Sequence, residues 1–452
     1  MIEKPVSPPG RVSRGSAVAA RPRGLPAGRR PGGSLWSNPS FLRIWLANAI
    51  DDFGTHISGL AIPLTAAISL GAGPFEMGLL AAAQRLPYFA LGLFAGVLVD
   101  RRPRQPLMVL VNWSRAGLLA LIPLAALLGG LSIELLYLVT VLAGACGVVF
   151  DTAYVAWLPD LVERNELLDA NGKMEATSAS AQAAGPGIAG LLVGLVSAPF
   201  AIAVDAVSFA MSALLIRTIR LSRAEELRRP GDGMRSMSAW SRIRGLFREI
   251  QEGLQVVWRD PYIRAMTSCS GFVSLFGFAF LAVYILFMTD VLRLSPTAIG
   301  LILGAGGIGA VIGSALAAPI SRRLGFGPAM IWSQIIFAIT GITVPIAVFV
   351  PTMAVPMLAL SEFAQYGALA VYNIGQLSLR QVRTTTNMQG RVSASSRTVT
   401  SGAALAGSLL GGLLGSWIGL GETLVVGVAG MALACILVIA SPLRSLRDLP
   451  DA

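Results

Sequence analysis

An all-α polytopic membrane protein is the fold class this sequence predicts, on three observations. Only 13% of its 452 residues are charged while 54% are hydrophobic, against about a quarter charged in soluble domains. The apolar residues come in blocks of about 20 or more, the length at which a helix crosses the hydrocarbon layer. Nearly all of the cations, which are arginine except Lys4 and Lys173, gather in the tails and in every second loop between blocks, which is the positive-inside pattern. A soluble enzyme, a disordered chain and a disulfide scaffold are thereby excluded. The formal net charge of +11 reads as an orientation signal. Few aromatics interleave with the basic runs, so no nucleic-acid partner is expected.

In chain order, residues 1–38 are rich in Pro, Gly, Ser and Arg and are expected to form a disordered cytoplasmic tail. No signal-peptide pattern follows, so the first span acts as the insertion signal. Twelve spans are predicted at roughly 41–68, 75–99, 105–130, 133–158, 168–195, 198–218, 264–291, 296–320, 327–350, 353–379, 389–417 and 422–441. They divide into an N-terminal six-helix half, 39–218, and a C-terminal one, 263–443, with a cytoplasmic linker at 219–262 and a tail at 444–452. In the linker, Trp240, Ile243, Phe247, Ile250, Leu254 and Val257 recur at three- and four-residue steps with Arg242, Arg244, Arg248, Glu249 and Glu252 between them, which predicts an amphipathic helix on the membrane surface. Arg101-Arg102-Pro103-Arg104, Arg217 to Arg264, Arg322-Arg323 and Arg380 to Arg397 fall on one side, and only Arg293 on the other. Both termini are therefore expected in the cytoplasm, with the chain in a bacterial inner membrane.

The halves repeat at an offset of 222 residues: Pro74, Gly78 and Arg101 fall on Pro296, Gly300 and Arg323, and Gly185 and Gly190 on Gly407 and Gly412. Two pseudo-symmetric six-helix halves around a central cavity are the architecture of a secondary transporter.

Gly96-Val97-Leu98-Val99-Asp100-Arg101-Arg102-Pro103-Arg104, between the second and third spans, resembles the G-x-L-a-D-R-x-G-R signature of the major facilitator superfamily, with Pro103 where glycine is usual. The resemblance covers essentially 38–445 and implies the major facilitator fold. It also implies an inward gate formed by Gly96, Asp100, Arg101 and Arg104, where a carboxylate at a helix end beside guanidiniums can lock one conformation. The plain alternative is a topogenic basic loop. Gly185-Pro186-Gly187-Ile188-Ala189-Gly190 in the fifth span resembles the G-P-x-x-G-G element of drug:proton antiporters, where proline kinks the helix and glycines let helices approach. That group's arginine in the fourth span is missing. Phe150 to Val162, Ala170-Asn171-Gly172, Glu252-Gly253-Leu254, Leu379-Arg380-Gln381 and Gly390-Arg391-Val392 resemble the exporter branch that includes enterobactin and macrolide efflux proteins.

Ionisable residues inside spans are costly and therefore functional candidates. Asp51 and Asp52 in the first span, Asp151 in the fourth and Glu362 in the tenth are the expected proton-exchanging groups, with His56, four residues after Asp52, tuning them. The resemblance places these helices along the cavity. A structural role for His56, or pairing of Asp151 with Arg115 or a rim arginine, stays open. Arg85 and Asp205, also inside spans, are read as packing or ion-pair residues. Phe272, Phe276, Phe280 and Tyr284, at four-residue spacing in the seventh span, are read as an aromatic cavity wall for a bulky amphiphile.

The sequence thus predicts proton-coupled export of a small hydrophobic or amphipathic compound by alternating access, working as a monomer with protons, substrate and membrane lipid as its partners. A proton-coupled importer of a polar nutrient and a non-transporting receptor or scaffold are the alternatives. No cofactor or metal is expected, since one histidine and no Cys/His spacing leave no metal or catalytic constellation, and no Gly-rich Lys-Ser/Thr loop is present for ATP.

Overall fold

The computed structural model describes residues 35–92, 94–100, 102–163, 165–219, 248, 251–385 and 388–446. Arg101, nearly all of the N-terminal tail and most of the linker's amphipathic segment lie outside these residues; its last part, with Leu254 and Val257, is helical over 251–259.

Twelve long helices are present among the described residues: α1 (Pro39–Leu64), α2 (Pro74–Leu91), α3 (Arg104–Leu127), α4 (Ile133–Leu161), α5 (Leu167–Val196), α6 (Ala198–Arg217), α7 (Pro261–Leu286), α8 (Pro296–Leu324), α9 (Phe326–Gly341), α10 (Ala354–Arg383), α11 (Gln389–Trp417) and α12 (Leu420–Ile439). α3 to α12 are each, alone or with a short helical extension, long and apolar enough to cross a membrane. α1 and α2 are more polar along their length, with Asp51 and Asp52 in one and Glu76, Gln84 and Arg85 in the other. Two predicted spans are broken. The second stops at Leu91 and resumes as a short turn, Ala95–Val99, beyond Gly92. The ninth ends at Gly341 and continues through the turn Thr343–Ile346.

Local chemistry fixes the starts. Asn38 accepts hydrogen bonds from the amides of Ser40 and Phe41 at 3.1 and 3.3 Å, ahead of Pro39 at the first helical position. Asp260 does the same for Tyr262 and Ile263, and Ser295 for Ala298.

The repeat is visible in the backbone itself. α1 and α7 both end in a π-helical turn, Thr65–Ser69 and Phe287–Val291, 222 residues apart. Positive φ occurs at Gly71 (63°) and Arg293 (51°), and at Ser197 (81°) and Gly419 (98°), again at that offset. One member of each pair is a glycine, as this geometry favours, and its counterpart adopts the same turn with a side chain.

Helix partners repeat too. α1 packs on α5 and α6, α3 on α4 and α6, and α2 on α4; α7 packs on α11 and α12, α9 on α10 and α12, and α8 on α10. The halves meet through α5 with α8 and α2 with α11. At each junction glycines bring two backbones together. A Cβ on Gly190 would lie 2.8 Å from Gly300 Cα, and one on Gly412 2.8 Å from Gly78 Cα. Both crossings lie toward the end of the bundle opposite the Arg-rich loops. That opposite end carries Glu76, Glu134, Asp290 and Glu422 beside Arg293.

Candidate functional site

Between the halves lies a two-chambered cavity. The outer chamber, about 1040 Å³, widens toward the Arg-rich end, where Gly390, Ser393 and Arg397 line its mouth; Tyr88, Asp151, Thr267, Ser270, Gln376 and Arg380 line its walls. The inner chamber, about 260 Å³, is walled mostly by carbon: Leu60, Pro63, Met77, Leu80, Leu281, Ile285 and Leu303, with His56, Gln84 and Pro186 among them. Arg85 from α2 and Phe278 from α7 line both chambers and so form the neck. The Arg85 guanidinium sits over the Phe278 ring, 4.5 Å from its centre.

Beside the cavity, inside the N-terminal half, α1, α3 and α6 converge on Arg115. Its Nη1 lies 3.2 Å from each oxygen of Asp51, and Nη2 donates to Thr55 Oγ1 at 3.1 Å. The guanidinium carbon is 3.6 Å from the centre of the Phe209 ring. Arg115 and Asp51 are 7% and 5% exposed, so this is a desolvated pair, stable because each charge finds its opposite and further polar partners. One turn back along α3, Asn112 donates to Ser212 Oγ at 2.9 Å. Asp205 of α6 is buried, accepts from Ser208 Oγ at 3.0 Å and stands within electrostatic reach of Arg115. Gly54 allows this convergence, since a Cβ there would strike Asp205 and Ser208.

The expected carboxylate cluster is therefore distributed. Asp51 is occupied by Arg115, a partner that spacing along the chain did not suggest. Asp52, half-buried, accepts from Asn48 Nδ2 at 2.9 Å and lies within electrostatic reach of Asp51 and Asp151. Asp151 lines the outer chamber, where the Tyr88 hydroxyl approaches it at 3.5 Å; among the described residues it forms no ion pair with Arg115 or a rim arginine. His56 makes no hydrogen bond to Asp52 among the described residues. It lines the inner chamber and packs on Gly185 of α5, whose missing side chain leaves room for it. Glu362 is not on the cavity wall. It is buried in the C-terminal half against Gly306 of α8, its Oε2 without a hydrogen-bond partner and near the likewise unpartnered Tyr284 hydroxyl.

The aromatic stripe also faces elsewhere. Phe276 and Phe280 pack on Gly430 and Gly427 of α12, and Tyr284 is buried. Phe272 stacks with Phe276 and lines a separate apolar pocket with Trp258. Four-residue spacing fixes a shared face but not which neighbour it meets. The face of α7 turned to the cavity carries Ser270, Ser274 and Phe278 instead.

At the Arg-rich rim, Arg104 pairs with Asp160 at the end of α4, at 2.5 Å, not with Asp100, which is exposed. Arg383 pairs with Asp260 at 2.9 Å, and Arg391 with Glu252 at 2.5 Å. Gly96 sits in the short turn before Asp100 with open space where a Cβ would be. In α5, Gly190 makes the crossing with α8, Pro186 borders the inner chamber, and Gly185 receives His56. Sequence reasoning assigned no cavity role to Arg85, Phe278 or Arg115; the signal available was an arginine inside each of two apolar blocks.

A family model described as transmembrane secretion effector matches residues 34–450. The multidrug efflux pump Tap of Mycolicibacterium fortuitum is 28% identical over 386 residues, 83% of this chain and 88% of that protein. The MFS-type transporter YfiS of Bacillus subtilis is 24% identical over 416 residues, 90% and 92% of the two chains. A crystal structure of a bacterial homologue of the iron transporter ferroportin, in its inward-facing state, superposes with a TM-score of 0.70 at 18% identity, covering 89% of this chain and 98% of that one. This likeness establishes the same fold.

Proposed function

The chain belongs to the transmembrane secretion effector family of major facilitator transporters, and on that premise we propose that it exports a small amphipathic compound in exchange for protons by alternating access. The observation that carries this reading is the two-chambered cavity, open at the Arg-rich end and closed at the other by backbone crossings, with carboxylates beside it. The Arg-rich end is the cytoplasmic one by the positive-inside rule, so both termini face the cytoplasm and the cavity is loaded from inside. The similarity to a multidrug efflux pump supports the outward direction.

In this reading Asp52 and Asp151 exchange the proton. Both stand at or near the cavity without a cation bonded to them, and a carboxylate so placed can gain and lose a proton as the cavity changes sides. The Asp51–Arg115 pair ties α1 to α3, so that the N-terminal half moves as one body. Pairs such as Arg104–Asp160 stiffen each half at the rim.

The test is substrate accumulation in everted membrane vesicles under an imposed proton gradient. Uptake that follows the gradient, and is lost in Asp52→Asn or Asp151→Asn, is the expected result. Uptake indifferent to the gradient would remove proton coupling. The Ser, Thr and Gln lining of the outer chamber favours, as a second reading, import of a polar nutrient. Accumulation confined to right-side-out vesicles would select it.

A further inference from the structure

We infer that the transported compound is an amphiphilic anion, its apolar body seated in the inner chamber and its carboxylate, phosphate or phenolate held by Arg85 at the neck. This deepens the export reading and rests on it. Three observations converge on Arg85.

The first is its lack of a counter-ion. Among the described residues, Arg115, Arg104, Arg383 and Arg391 each have a carboxylate within ion-pair distance. Arg85 has none; it lies over the face of Phe278, with the Tyr88 and Tyr366 hydroxyls within electrostatic reach. Arg85 is exposed to the cavity, yet a guanidinium within a span and without an opposite charge still carries a cost, and ionisable residues facing such a cavity mark the path of a substrate. An aromatic face offsets part of that cost and leaves the planar N–H fork free for a bidentate oxyanion.

The second is the company it keeps. Arg380 and Arg397 line the same outer chamber, also without ion pairs among the described residues, and the buried Nε of Arg380 has no hydrogen-bond partner. Against these three cations the chamber wall presents one carboxylate, Asp151, which stands beside Tyr88. A cavity with that balance draws anions in from its mouth and repels cations.

The third is the division of the cavity. The inner chamber is carbon-lined, whereas the outer one carries Thr152, Thr267, Ser270, Ser274 and Gln376. Arg85 stands where one becomes the other. A ligand that satisfies both surfaces has an apolar body of the inner chamber's size, about 260 Å³, and its charge at one end.

The test uses the full chain in lipid nanodiscs and three probes that share one apolar body: 1-pyrenebutyrate, 1-pyrenebutanol and a pyrenebutyl trimethylammonium salt. Binding is read by fluorescence anisotropy. The butyrate is expected to bind at least tenfold more tightly than the alcohol, and the ammonium most weakly. Arg85→Gln should erase the tenfold preference while leaving the alcohol's affinity within twofold, which also reports that the variant is folded; Arg85→Lys should keep part of it. Equal binding of the three probes, a preference for the ammonium, or an undiminished butyrate preference in Arg85→Gln overturns the inference. The wild-type series decides even if the variant does not fold. The export reading is judged separately in everted vesicles. Butyrate bound with Arg85-dependent preference but never accumulated would sink export and leave the ligand class standing; accumulation of the ammonium alone would do the reverse.

Discussion

In the N-terminal half, Asp51 of α1 meets Arg115 of α3; at the matching offset in the C-terminal half stand Val273 and Phe337. The substitution recurs at most charged positions of the candidate site, Arg397 excepted, whose counterpart is Glu175. Asp52, Arg85, Asp151 and Asp205 correspond to Ser274, Gly307, Asn373 and Gly427, and Glu362 corresponds to Thr140. Yet the π-turns, two pairs of positive-φ positions and the glycine crossings match to the residue. At those turns and crossings backbone geometry has been kept on both sides of the repeat, whereas the carboxylates at or near the cavity, Asp52 and Asp151, stand on one. His56 and Phe278 show the principle in miniature. They occupy equivalent positions and both line the inner chamber, one polar and one aromatic.

The comparison breaks most readily at the buried charges. Asp51→Asn strands Arg115 and should cost about 3–5 kcal/mol, read as thermal unfolding of the purified protein. Glu362→Gln, which leaves no cation uncompensated, should cost less than about 1 kcal/mol. Equal losses would mean that the halves are not electrostatically distinct.

The crossings probe the opposite expectation, that the halves behave alike. Gly78→Leu and Gly190→Leu each drive a side chain into the partner backbone and should hold the closed end apart. Transport is expected to fall by at least tenfold in each, about 1.4 kcal/mol or more. Reactivity of a cysteine placed at Thr297, on the α8 side of one crossing, should rise in the Gly190 variant. A defect in only one of the two would sharpen the comparison into a leading and a following junction.

Ser197→Gly relaxes a residue held at a φ of 81° that its counterpart Gly419 adopts freely. It should raise stability by about 1 kcal/mol. The smallest effect belongs to the rim. Asp160→Asn removes a half-exposed pair with Arg104 and should change stability by about 0.2–1 kcal/mol, and Asp100→Asn by less, since Arg104 is held elsewhere.

These contrasts also explain what could be read before the fold was known. Block length gave the twelve spans, and the offset of 222 was legible because Pro74, Gly78, Gly190 and their counterparts sit where turns and backbone contacts admit few other residues. The partner of Asp51 was hidden because Arg115 is 64 positions away in another apolar block, and only helix rotation brings the two together. Arg104 lies four residues from Asp100 along the chain, but the start of α3 turns it toward Asp160. Four-residue spacing from Phe272 to Tyr284 could not tell the cavity from other neighbours: Phe276 and Phe280 meet the glycines of α12, 150 residues later, while Phe272 and Tyr284 meet other elements. Arg85 and Phe278 were missed for the same reason: a neck exists only when two halves meet.

The two glycine crossings are also two points, and two points define an axis. Where backbone rests directly on backbone, one surface can roll over the other with few side chains to rearrange, the Thr297 hydroxyl on the Gly190 carbonyl being the contact that yields. The crossings of α5 with α8 and of α2 with α11 would then act as a pair of bearings, and the work of switching sides would fall on the loaded cavity and on the ion pairs at the far rim. With both crossings in contact, the speed of the cycle would follow what the cavity holds.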